Sequence, residues 1–156
     1  MGNLEIIEKS RIRPRPGDLF AMKVKRRGYL FGRVIRIDAV LGGFPNCKLL
    51  YIYRQLSQSI DTIPELRKEG LLIPPIGTNN LGWRHGFFKT IRRDGLRDED
   101  VLARHCFEGA APGRYYDEFD HRLSQMVEPC GVRGVASYLV IDDLVSTALG
   151  LPVSES

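Results

Sequence analysis

Two apolar runs joined by a basic turn constrain this chain more than any other feature. In DLFAMKV (Asp18 to Val24), Phe20, Met22 and Val24 fall on one face of an extended chain, with Leu19 and Ala21 on the other. In YLFGRVIRI (Tyr29 to Ile37), Phe31, Ile35 and Ile37 oppose Leu30 and Val34. A strand apolar on both faces is central or curved, because an open sheet would expose one face to water. Lys25, Arg26, Arg27 and Gly28 form the loop between the runs, with Gly28 free to take a positive φ. Gly32 interrupts the second run and marks a bulge or a close backbone approach.

The rest of the chain continues in short strands. LGGFPN (41–46) is turn chemistry, and CKLLYIYRQL (47–56) alternates as a third strand. Thr62 with Glu65 three residues later has the form of a capping box. With Pro64 in the first turn and Gly70 at the end, it predicts a helix of about two turns. LLIPPIGTNN (71–80) reads as an extended edge, since Pro74 and Pro75 lack N–H groups. Trp83 to Arg92, Val101 to Phe107 and Arg114 to Asp120 read as further strands. Gly134 to Ile141 reads as a β-rich run, followed by a helix capped by Asp142 or Asp143 and ended by Gly150 and Pro152. Strands do not alternate with long helices, so a parallel α/β sheet is not expected.

The expected fold class is therefore mainly β (α+β): a strongly bent antiparallel sheet, or a small partly open barrel, with two short helices. One domain over residues 1–156 is expected, with 1–13 and 151–156 peripheral. A chain of 156 residues buries roughly 70% of its unfolded surface, enough for a core without covalent staples. No apolar run approaches the roughly 20 residues that span a bilayer, and the N-terminus lacks the pattern of a secretory signal or a myristoylation site.

Charge is segregated along the chain. Residues 1–93 hold 18 Lys/Arg against seven Asp/Glu, whereas residues 94–156 hold five against twelve. Either the two segments face each other within the fold, or one of them meets a charged partner and steers its approach.

Few constellations carry chemistry. Cys47, Cys106 and Cys130 are odd in number and lack C-x-x-C spacing, so neither a disulfide framework nor a zinc site follows. His105 and Cys106 are adjacent on a strand and point to opposite faces, so a nucleophilic pair would need His85 or His121 instead. The three histidines lie on separate elements, and no metal or cofactor is expected. Asp98, Glu99, Asp100, Asp117, Glu118 and Asp120 form two acidic clusters with no EF-hand pattern. No phosphate-binding loop or nucleophile elbow is present. Arg11, Arg13, Lys25, Arg26 and Arg27 near aromatic residues are the composition of an oligonucleotide-binding surface, whereas Phe20 and Phe31 alternate as core positions do.

RPGDLFAMKV, YLFGRVI and GWRHGFF together resemble the immunity protein 26 family, in which a Pro-Gly-Asp-x-Phe strand precedes a Gly-x-Val strand and an aromatic-glycine segment. The resemblance spans roughly residues 14–92. It implies a cytoplasmic bacterial protein that neutralises a cognate polymorphic toxin without catalysis. It maps scaffold roles onto Pro16, Gly17, Asp18, Phe20, Gly32, Val34, Gly82, Trp83, Gly86 and Phe87. The Pro-Gly-Asp opening and basic hairpin are also similar to small-barrel mRNA interferase toxins, but GRVIRI stands where those continue as RP-V-V. The leading expectation is a toxin-binding protein with the six acids 98–100, 117, 118 and 120 facing the partner. The alternative is an RNA-binding or RNA-cutting barrel using Arg11, Arg13, Lys25, Arg26 and Arg27. No membrane partner is expected.

Overall fold

Apolar side chains on both faces of the first two runs demand two covering layers. In the computed structural model, which describes residues 2–153, both are present. Strands β1 (Leu4–Glu5), β2 (Asp18–Val24), β3 (Gly28–Leu41), β4 (Phe44–Tyr53) and β5 (Leu71–Thr78) lie side by side in that order. A single helical turn, α1 (Leu81–Arg84), leads into β6 (Lys89–Arg93), which returns to pair with β2. All these pairings are antiparallel. Register shifts between Val34 and Leu41 in β3, and between Leu50 and Tyr53 in β4, curl the sheet into a half-barrel, since each bulge bends its strand and increases the twist. The expected hairpin is formed, from Leu19↔Arg33 to Val24↔Gly28, with Gly28 at φ +105°.

A second, smaller sheet follows. It comprises β7 (Cys106–Glu108), β8 (Tyr115–Tyr116), β9 (Arg122–Leu123) and β10 (Cys130–Val132), in the order β10-β7-β8-β9, with β10 parallel to β7. Helix α2 (Tyr138–Ala148) ends the described fold. On one face of the large sheet, Phe20, Met22, Leu30, Val34, Leu50 and Ile52 pack against Trp83, Phe88 and the α2 residues Ile141 and Val145. On the other face, Ile35, Leu49, Tyr51 and Tyr53 pack against Phe107 and the 96–102 segment.

The residues of the Pro-Gly-Asp and aromatic-glycine motifs gather around one end of β2. The Asp18 amide donates to the Arg15 carbonyl, and the Asp18 carboxylate accepts from the Arg15 amide, closing a turn with Pro16 and Gly17 at its centre. Gly17 has φ +92°, the backbone a type II turn needs at that position, and a Cβ there would lie 2.3 Å from the Asp94 carbonyl oxygen. Phe20, Trp83 and Phe88 meet with ring centroids 5.1 to 5.4 Å apart. Gly32 sits directly opposite Phe20, where a Cβ would come within 2.2 Å of the ring, so the space it leaves is taken by a side chain and not by a bulge or a crossing backbone.

Several local expectations fail, each for a physical reason. Residues 62–70 form no helix. Gly70 closes a turn with Arg67, and Glu65 pairs with Arg67 instead of capping. Two turns cannot offset the cost of helix nucleation without a packed face. Trp83 to Arg92 is not one strand. Gly86, at φ +87°, reverses the chain after α1, and only Lys89–Arg93 is extended. The Val101–Phe107 and 114–120 runs shrink to β7 and β8. Gly134 to Ile141 is not a strand, because α2 begins at Tyr138. Its cap is Ser137, whose hydroxyl accepts from the Val140 amide, and neither Asp142 nor Asp143 serves. Asp142 instead ties α2 to the first strand, accepting from the Asn3 and Leu4 amides and from the Ser146 hydroxyl. Leu4 is accordingly buried in the first core. Of the segments expected to be peripheral, Met1 and residues 154–156 lie outside the described residues.

Candidate binding surface

β5 is the last strand of its sheet, and its edge is finished by the chain that leads from β10 to α2. The Ala136 amide donates to the Gly77 carbonyl, and the Thr78 hydroxyl donates to the Ala136 carbonyl. Gly131 passes so close to Pro75 that a Cβ would lie 2.5 Å from the Pro75 carbonyl oxygen. Between this crossing chain and α2 lies a groove of about 360 Å³, lined by Ile73, Pro74, Val132, Val135, Val140 and Leu144. Its aliphatic surroundings face water: Val132 is 76% exposed and, beside the groove on α2, Leu139 is 60% exposed. Helix α2 buries Ile141 and Val145 against the core, which leaves Val140 and Leu144 turned outward. Exposed apolar side chains gathered in this way are a feature that interaction surfaces share.

The acidic residues occupy two separate places. Asp98, Glu99 and Asp100 form a 3₁₀ turn in which the Asp100 carboxylate accepts from the Arg97 amide. Asp100 also stands 3.9 Å from the Arg33 guanidinium, which donates to the Tyr53 hydroxyl. Asp117 accepts from the amides of Phe119 and His121. Asp120 receives the amides of Gly42 and Gly43 and the Arg133 guanidinium, which also lines the groove. Asp98 and Glu99 are exposed, and the other four acids are partly covered. Burial pushes Asp120 up, but the Arg133 and glycine-amide hydrogen bonds outweigh it and hold the carboxyl below its usual range.

The basic residues are also divided. Arg11 and Arg13 join Lys9, Ser10 and Arg84 around an open cleft of about 670 Å³. Lys25, Arg26 and Arg27 stand exposed at the opposite end of β2, roughly 20 Å away for a strand of this length. Lys9, Arg11, Arg13 and Arg84 form no ion pair among the described residues.

One buried constellation lay beyond the sequence reading. The Tyr51 hydroxyl meets His105 Nε2 at 2.6 Å, His105 Nδ1 donates to the Glu118 carboxylate, and the Tyr51 oxygen accepts from the Leu102 amide. Burial pushes Glu118 up, yet the His105 hydrogen bond and charge outweigh it and leave the carboxyl below its ordinary value. Burial also raises Tyr51, so the hydroxyl keeps its proton. Tyr51 is fully enclosed and already committed to Leu102, so the relay pins the 102–118 segment to β4. The adjacency of His105 and Cys106 was the available signal. His105 turns to Tyr51, whereas Cys106 Sγ faces Cys130 Sγ and neither His85 nor His121. Among the described residues, no group of three His, Cys, Asp or Glu side chains stands close enough to hold a metal ion, and no helix is long and apolar enough to cross a membrane.

The family model of immunity protein 26 matches residues 15–115. No curated protein and no solved structure matches the chain.

Proposed function

The chain belongs to the immunity protein 26 family, and from that premise we propose that it acts in the cytoplasm as a single-domain, non-catalytic protein that binds and neutralises one cognate bacterial toxin. The observation that carries the reading is the exposed apolar groove beside α2. Val132, Val140 and Leu144 supply the anchors there, and such anchors dominate affinity once water is excluded. Arg133 and Asp120 connect the groove to the acidic 117–120 turn, so charge next to the anchors orients an approaching basic surface. Asp98 and Glu99, exposed on the first acidic turn, add to the field that speeds encounter.

The test is co-expression with bacterial toxin domains, beginning with any that a neighbouring gene encodes, scored by cell survival and by the affinity of the purified pair. Val132→Asp with Leu144→Asp changes only exposed side chains, so thermal unfolding stays near the wild-type value. Binding should weaken at least ~100-fold, because each lost anchor is worth about 2 kcal/mol or more. Unchanged affinity in the folded double variant removes the groove from the account. Failure of the wild-type chain to protect cells removes the neutralising role.

A second reading has one observation in its favour, the cleft bounded by Lys9, Arg11, Arg13 and Arg84, which form no ion pair among the described residues. It predicts that an RNA oligomer is retained at low salt and released steeply as salt rises. No retention at low salt ends it.

A further inference from the structure

β10 lies parallel to β7 with Cys130 directly opposite Cys106, and the two sulfur atoms are 2.9 Å apart. A disulfide bond requires about 2.05 Å, so closing it moves each sulfur by less than ~0.5 Å. Both side chains are free thiols in this structure. Cys106 is fully buried and receives the Val127 amide on its sulfur. Cys130 is partly exposed and borders two openings: the apolar groove, and a cleft formed with Arg54, Lys68, Met126 and Pro129. One sulfur is therefore open to a small reagent, and its partner stands directly behind it. An attacking and a resolving thiol need this arrangement. Cys47 lies apart, with its thiol donating to the Phe44 carbonyl.

We propose that Cys106 and Cys130 are a redox pair that a small disulfide oxidant of the oxidised-glutathione class converts to an intramolecular disulfide. The Cys130 thiolate attacks one sulfur of the oxidant, forming a mixed disulfide and releasing one thiolate. The Cys106 thiolate then attacks the Cys130 sulfur and displaces the second. The two protein thiols lose two electrons and two protons, and the oxidant leaves as two thiols. Burial, then the contact with Cys106, pushes the Cys130 thiol up to about 12, so Cys130 rests as a thiol at neutral pH and attacks slowly. The product staples β10 to β7, two strands whose positions in the chain are 24 residues apart. It thereby fixes one wall of the groove, which Cys130, Gly131 and Val132 form. The inference stands on sulfur geometry alone and is independent of the toxin-binding reading.

The full chain is incubated with oxidised glutathione at mildly alkaline pH, unfolded, alkylated with iodoacetamide and weighed. Before oxidation three alkyl groups are expected, and afterwards one, on Cys47, with a loss of about 2 Da and a peptide linking Cys106 to Cys130. The oxidised chain should melt roughly 5 to 10 °C higher, and a reductant should reverse the shift. Cys47→Ser should leave the cross-link intact. Three alkylated cysteines after oxidation, a glutathione adduct persisting on Cys130, or a link through Cys47 would overturn the proposal. An oxidised form that melts no higher would overturn the staple. Toxin binding enters neither readout.

Discussion

Residues 18–53 and residues 94–133 are held in place by different forces. The first region has three long strands whose side chains are buried on both faces, and bulk apolar burial holds it. The second has strands of two or three residues, fastened by individual polar contacts: Asp100 to the Arg97 amide, Asp117 to its own turn, Glu118 to His105, and Asp120 to Gly42, Gly43 and Arg133. Most of these pins are internal to the second region; Asp120, through the Gly42 and Gly43 amides, and Asp100, 3.9 Å from the Arg33 guanidinium, tie it to the first. A region held by burial loses stability with volume, whereas one held by pins loses it with single hydrogen bonds and with pH.

The largest effect should come from the first region. Phe20→Ala removes a ring packed against Trp83 and Phe88 and opens a cavity over Gly32, at a cost of about 4 kcal/mol. A denaturant midpoint lowered at constant slope would show it, and a loss below ~1 kcal/mol would break the contrast.

Next is Glu118→Gln, which weakens the pin on His105 and costs about 1 to 3 kcal/mol at neutral pH. The sign with pH follows from the lowered value of Glu118. Its contribution is complete above the ordinary glutamate value of 4.5 and is lost as pH falls through the lower folded value. The gap between wild type and Glu118→Gln should thus narrow on acidification. Asp18 has the opposite sign: burial raises it, against the Arg15 and Arg93 contacts, so its term favours the folded chain at lower pH. Comparing the two chains cancels that term, and a gap that widens in acid would refute the assignment.

Asp120→Asn keeps the shape but removes the charge from two glycine amides and Arg133, and should cost about 1 kcal/mol. Hydrogen exchange should report faster opening at Gly42 and Gly43 than at β2. Smallest of all, reversing Lys25 and Arg26 at the exposed hairpin tip should change stability by no more than about 0.5 kcal/mol. A larger loss would mean that the tip bears structural load.

How much of this was legible in the sequence depends on how local each signal is. The pairing of Asp18–Val24 with Tyr29–Ile37 and the third strand follow from alternation and turn chemistry within a few residues, whereas the Phe20 ring over Gly32 is a cross-strand contact that neither run shows alone. Helix α2 was half legible: its outer turns were read from Leu144 onward, but Tyr138 to Ile141, rich in β-formers, show their helical period only when joined to Val145 and Leu149. The 62–70 capping box was a false signal, since a cap cannot supply the buried face a short helix needs. Tyr51, His105 and Glu118 could not be associated in advance, because their positions span 67 residues of chain and nothing local marks them as neighbours.

By itself, then, the amino-acid order determined that the chain makes a curled antiparallel sheet with a basic hairpin, because period-two burial and φ-specific glycines act over a handful of residues. Which acid meets which base, which thiol meets which thiol, and where an apolar groove is left open were decided only when the second sheet folded back over the first. Those contacts join residues distant in the chain, and their energies exist only once burial has excluded water around them.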